Sequence, residues 1–133
     1  MWGVVMLAQA TPEEDEMPAQ VLLVEDEVMI RALLAEELRS VGLLVVEAAN
    51  ADEAWDYLSA GGKADLLFSD VTMPGSMDGV ELAQRVKAGY PNMKIIVTSG
   101  NPGPRNVAEY GKFLAKPYGM ARAAEVALHT LGL

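Results

Sequence analysis

The chain has 133 residues, a length suited to one domain, and 51% of them are apolar, enough for an ordinary core. Ten Lys and Arg face 19 Asp and Glu, a formal charge of −9, which argues against nucleic acid as a direct partner because phosphate binding needs a basic face. Cysteine is absent, so disulfides and thiolate metal sites are excluded.

Residues 1–18 read as a tail, disordered or loosely docked, ahead of one folded unit over residues 19–133. The apolar stretch Trp2–Ala8 is too short to span a membrane and lacks the basic flank of a secretion signal, so no membrane span and a cytoplasmic location are expected. Thr11-Pro12-Glu13-Glu14-Asp15-Glu16 is self-repelling and reads as a solvated linker.

From there short apolar runs alternate with amphipathic segments. Val21–Val24 is the first run. A helix follows in which Ile30, Leu33, Leu34, Leu38 and Val41 share a face and Gly42 is the stop. After the run Leu43–Val46, Asn50 caps a second helix with Glu53 three residues on; Ala51, Ala54, Trp55 and Leu58 form its stripe and Gly61-Gly62 ends it. After Leu66–Phe68, Asp78 caps a third helix carrying Val80, Ala83 and Val86, closed by Gly89 and Pro91. After Ile95–Val97 comes the turn-forming Asn101-Pro102-Gly103-Pro104, which leaves only Arg105–Tyr110 for a fourth helix of one or two turns. The run Phe113–Ala115 precedes a last helix over about Gly119–Leu131, with Met120, Ala124, Ala127, Leu128 and Leu131 inward.

Apolar runs without alternation belong to strands covered on both faces. The pattern predicts an α/β fold: a flavodoxin-like, doubly wound, five-stranded parallel sheet in the order 2-1-3-4-5, with a short or degenerate fourth helix. In such sheets ligands bind at the carboxyl ends of the strands. Those ends carry Glu25-Asp26-Glu27, Ser69-Asp70, Thr98-Ser99 and Lys116-Pro117. Strands one and three are neighbours in that order, so two or three carboxylates meet in one cleft and need a cation. All-oxygen ligands point to Mg²⁺. Lys116 offers a point charge and Thr98 a hydroxyl for phosphoryl oxygens, and a carboxylate can itself be the nucleophile.

The stretches Val21–Glu27, Phe68–Pro74, Met77-Asp78-Gly79, Ile95–Gly100 and Phe113–Tyr118 together resemble the response-regulator receiver domain, close in layout to chemotaxis-type single-domain regulators, over roughly Gln20–Leu133. The resemblance implies a two-component signalling protein, not a turnover enzyme, that catalyses only its own phosphoryl transfer and dephosphorylation. Asp70 then matches the phosphoacceptor. Glu25 and Asp26 match the acidic Mg²⁺ pair, with Asp70 and the backbone carbonyl of Thr72 completing the metal shell. Lys116 and Thr98 match the catalytic lysine and hydroxyl, and Thr98 with Phe113 the switch pair. The Lys116-Pro117 bond is expected to be cis. Implied partners are a histidine kinase or phosphotransfer protein and a downstream protein target, and a homodimer is compatible.

Three departures from the family pattern stand out. The loop Gly75-Ser76-Met77-Asp78-Gly79 is one residue longer than the common form, the fourth helix is short, and Phe113 lacks the hydroxyl of a tyrosine. In the family the positions of Thr72 and Gly100 flank the path of a hydrolytic water, and neither residue offers an amide or carboxylate to orient it, which implies a persistent phosphoryl group. With no second domain after Leu133 in this sequence, action by protein contact, phosphorelay or competition for a kinase is expected. A haloacid-dehalogenase-like phosphohydrolase would carry an acid at the position of Thr72. A phosphorylation-independent module would not need Glu25, Asp26, Asp70 and Lys116 together.

Overall fold

The structure, a computed structural model, describes residues 17–100 and 103–133. The expected tail falls almost wholly on residues 1–16, and Asn101-Pro102 of the expected turn likewise lie outside the described residues.

Five parallel strands form one sheet in the order β2-β1-β3-β4-β5. They are β1 (Gln20–Val24), β2 (Leu44–Ala48), β3 (Leu66–Asp70), β4 (Lys94–Ser99) and β5 (Lys112–Ala115). The helices are α1 (Val28–Ser40), α2 (Ala51–Ser59), α3 (Gly79–Gly89) and α4 (Met120–Thr130). Among the described residues between β4 and β5, where the sequence predicts a short or degenerate fourth helix, there is a single 3₁₀ turn, Val107–Glu109. β3 is buried along its whole length and β1 along four of its five residues, as central strands with helices on both faces must be.

Side chains of successive strand residues point to opposite faces and feed two cores. Leu22, Val24, Leu67, Ile95 and Val97 pack with α2 and α3. Val21, Leu23, Leu66, Phe68 and Ile96 pack with α1 and α4. Small residues on α4, Ala123, Ala124 and Ala127, let it lie close against α1.

Caps set the helix ends. Asn50 Oδ1 accepts from the Glu53 amide at 2.8 Å, and Glu53 reaches back to the Ala49 amide at 3.2 Å. Asp78 Oδ1 accepts from the Glu81 amide at 2.9 Å. At the end of α1 the Gly42 amide donates to Arg39 and the Leu43 amide to Leu38, with Gly42 at φ +94°. This Schellman turn buries Leu43 as its hydrophobic contact, so β2 begins at Leu44 and not at Leu43 as its sequence suggested.

The expected face of α1 needs correction. Leu34, Ala35 and Leu38 are buried, whereas Leu33 is 50% exposed and Val41 37%. At about 100° per residue Leu33 lies a quarter turn from Leu34, and the packing of α1 on the sheet and on α4 selects the 34/35/38 arc. In α3, Leu82 joins Ala83 and Val86 in the core while Val80 is half-buried.

Leu38→Ala should therefore cost about 2–5 kcal/mol of unfolding free energy in urea titrations. Leu33→Ala should change it by less than about 1 kcal/mol. Equal losses would contradict this rotation of α1.

Candidate functional site

Four strands, β1, β3, β4 and β5, and the loops that follow them converge at one end of the sheet. The register pairs Val24 with Ser69 and Asp70 with Thr98, so residues just past β1 follow alongside the end of β3, and Asp70 and Thr98 are neighbours across β3 and β4. Ladder bonds continue beyond the strands. Glu25 donates its amide to Ala48 at 3.2 Å, Val71 to Thr98 at 3.0 Å and Lys116 to Ser99 at 2.7 Å. These bonds fix the backbone where the functional side chains leave it. The Lys116-Pro117 peptide is cis.

Glu25, Asp70 and Thr98 are buried, Lys116 is half-buried and Asp26 is exposed. Lys116 Nζ donates to Asp70 Oδ2 at 2.8 Å and stands 3.6 Å from Glu25 Oε1. Carboxylate oxygens of Glu25, Asp26 and Asp70 all lie within 4.8 Å of one another. Two of these three carboxylates, Asp70 and Glu25, face the Lys116 ammonium directly. Two negative charges are left over when all are ionised, and a hard cation held by oxygen ligands would balance them.

The electrostatics follow from this crowding. Burial pushes the Glu25 carboxyl up; the Glu27 amide, donating to Glu25 Oε2 at 3.1 Å, and the nearby Lys116 pull it down, but the net direction is upward. For Lys116 burial acts downward, yet the Asp70 and Glu25 carboxylates outweigh it and raise the ammonium. The Tyr118 phenol is pushed up by burial and then by the charges of Glu25 and Asp70, and its ring meets Phe68 edge-on at 6.3 Å.

Thr72 is exposed and lies two residues beyond Asp70 in the loop Val71–Asp78. Phe113 sits on β5 opposite Val97, half-buried, where its ring leaves no space for a side chain at Gly103.

The sequence did not single out two side chains that shape the site. Arg31 Nη1 donates to the Glu25 carbonyl at 2.8 Å and Nε pairs with Glu47 at 3.4 Å, tying α1 to β2 behind the acidic loop. Tyr118 closes the Lys116 side. Arg31 looked like any base in a first helical turn, and Tyr118 was visible only as part of the Lys-Pro-Tyr stretch.

A family model described as the response regulator receiver domain matches residues 21–126. Over 113 residues the chain is 39% identical to the sensor kinase CckA of Brucella abortus, covering 80% of this chain and 12% of that protein. It is 31% identical over 107 residues to a chemotaxis protein CheY homolog of Campylobacter jejuni, covering 74% of this chain and 82% of that protein. The crystal structure of the receiver domain from the hybrid histidine kinase CckA superposes with a TM-score of 0.70 at 34% identity, covering 84% of this chain and 98% of that one. The chain therefore spans about an eighth of the sensor kinase it matches and most of the CheY homolog.

Removing one charge from the crowded cluster should relieve repulsion. Asp70→Asn is expected to raise the melting temperature in EDTA by about 3–5 °C, read by calorimetry. A lower melting temperature would mean that the pairing with Lys116 outweighs the repulsion.

Proposed function

The chain belongs to the response regulator receiver domain family of two-component signalling, and from that premise we propose that Asp70 accepts a phosphoryl group from a histidine kinase or histidine phosphotransfer protein. Family members are signalling phosphoacceptors in general, and the only reaction assigned to this chain is its own phosphorylation and dephosphorylation. The observation that carries the reading is the 2.8 Å contact of Lys116 Nζ with Asp70 Oδ2 inside the carboxylate cluster.

In the proposed step an Asp70 carboxylate oxygen attacks the phosphorus of a phosphohistidine. An O–P bond forms, the P–N bond breaks, and the imidazole leaves with the electron pair and takes a proton from solvent. Lys116 neutralises charge on the acceptor and then on a phosphoryl oxygen, with Thr98 donating to another. The donor set of Glu25, Asp26, Asp70 and the Thr72 carbonyl suits Mg²⁺, which when bound would offset the charge of the carboxylates and of the incoming phosphoryl group. The Thr98 and Phe113 pair is the proposed relay from the phosphorylated site to the surface.

The surface beside the site suits a protein donor. Val28 and Met29, directly after the acidic loop, are 65% and 72% exposed and continue along α1 to the exposed Leu33. Ile30, Pro117, Tyr118 and Met120 line an apolar hollow next to Lys116. Apolar side chains at the mouth of a charged site give a docking partner area to bury while the transfer takes place. Among the described residues no helix is long and apolar enough to cross a membrane. A cytoplasmic setting, where kinase and Mg²⁺ are both available, belongs to the same proposal.

Two measurements check it. Treatment with a small phosphodonor and Mg²⁺ should add the mass of one phosphoryl group to the wild type and none to Asp70→Asn, and the label should decay slowly because Thr72 and Gly100 supply no amide or carboxylate to orient a water. Met29→Glu or Leu33→Glu should slow transfer from a cognate kinase by about tenfold or more while leaving small-donor labelling within about twofold. Equal slowing of both would remove the apolar surface from the account.

A further inference from the structure

The loop Val71–Asp78 leaves Asp70 and returns into α3, and it is fastened at three places. At its base the Gly79 amide donates to the Val71 carbonyl at 2.9 Å, and any side chain at Gly79 would collide with the Asp70 carbonyl. In its middle Met73 and Met77 are buried in the core shared with α2 and α3. At its tip both oxygens of Asp52 are engaged: Oδ2 accepts from the Ser76 amide at 3.0 Å and Oδ1 from the Ser76 hydroxyl at 2.5 Å.

The tip contact depends on Gly75. Gly75 has φ +117°, a conformation side chains resist, and a Cβ there would lie 2.5 Å from Asp52 Oδ2. Asp52 is free for this task because Asn50 already caps α2. The Ser76 hydroxyl and the amides of Ser76 and Met77 hold the Asp52 carboxyl below the usual carboxylate range against the opposing effect of burial, so it is ionised near neutral pH. Charge-assisted bonds of this kind are stronger than neutral ones.

Thr72 lies between the base and the first buried methionine. We propose that Asp52 is a positioning residue for the acceptor site: by holding Ser76 it fixes the Val71–Asp78 loop, and with it the Thr72 carbonyl, so that cation affinity at Asp70 depends on a clasp made by α2. The inference rests on the reading of the site given above. A clasp that only added stability would shift the melting temperature and leave cation binding alone.

Calorimetric titration of the full chain with Mg²⁺ separates the cases. Ser76→Ala and Asp52→Ala should each weaken binding about three- to tenfold, and the double variant no more than either alone. Ser76→Ala removes no charge, so its loss cannot come from changed electrostatics. Asp52→Asn, which keeps an acceptor oxygen, should recover part of the affinity, and melting temperatures in EDTA should stay within about 2 °C of the wild type. Unchanged affinity in Asp52→Ala, or losses that add in the double variant, would overturn the clasp while leaving the site intact. A wild type that does not bind Mg²⁺ would overturn the site reading and the clasp with it.

Discussion

Lys116 places one positive charge against two carboxylates of a cluster of three, and much of the molecule serves to keep it there. A single contact of 2.8 Å to Asp70, with Glu25 at 3.6 Å, holds together groups that would otherwise repel one another across the ends of β1 and β3. The sheet order imposes the crowding: β1 lies between β2 and β3, so the first loop and the third open into the same cleft. Two cores, one on each face, make the strands too rigid to spread and relieve it. A site that gathers negative charge in this way calls for a cation, which would also offset the charge of an incoming phosphoryl group whose oxygens Lys116 can follow.

Much of this was legible in the sequence, because buried parallel strands are written as plain apolar runs and whatever polar residue ends such a run must face the cleft. Asp26, Asp70, Thr98 and Lys116 each follow one of those runs. The strand order and both N-caps, Asn50 and Asp78, were readable for the same local reason. The rotation of α1 was not. Val28, Met29 and Leu33 are apolar but turned to solvent, and periodicity counts an apolar residue without knowing which surface it serves. Leu43 was assigned to a strand because a helix-ending turn buries its last residue as effectively as a strand does. The clasp of Asp52 on Ser76 joins residues 24 apart and leaves no local pattern at all.

The connection between β4 and β5 forms the face of the molecule beside Thr98 and Phe113. Among its described residues one 3₁₀ turn, Val107–Glu109, is the helical element, and Tyr110 is buried behind it. Phe113 leaves its ring against Gly103 with no hydroxyl to exchange partners. Any rearrangement passed from Thr98 to this side therefore works through packing, in contrast to the polar clasp on the opposite side of the site.

The central claim is that the acceptor is Asp70 and neither of the two acids beside it. Borohydride reduction after treatment with a small phosphodonor and Mg²⁺, followed by peptide mapping, tests it most directly, because only a carboxylate in acyl-phosphate linkage is reduced to an alcohol. The account predicts the reduced side chain at position 70 alone, and only in the phosphodonor-treated sample. Reduction at position 25 or 26, or at no position in a sample that has gained the phosphoryl mass, would contradict it.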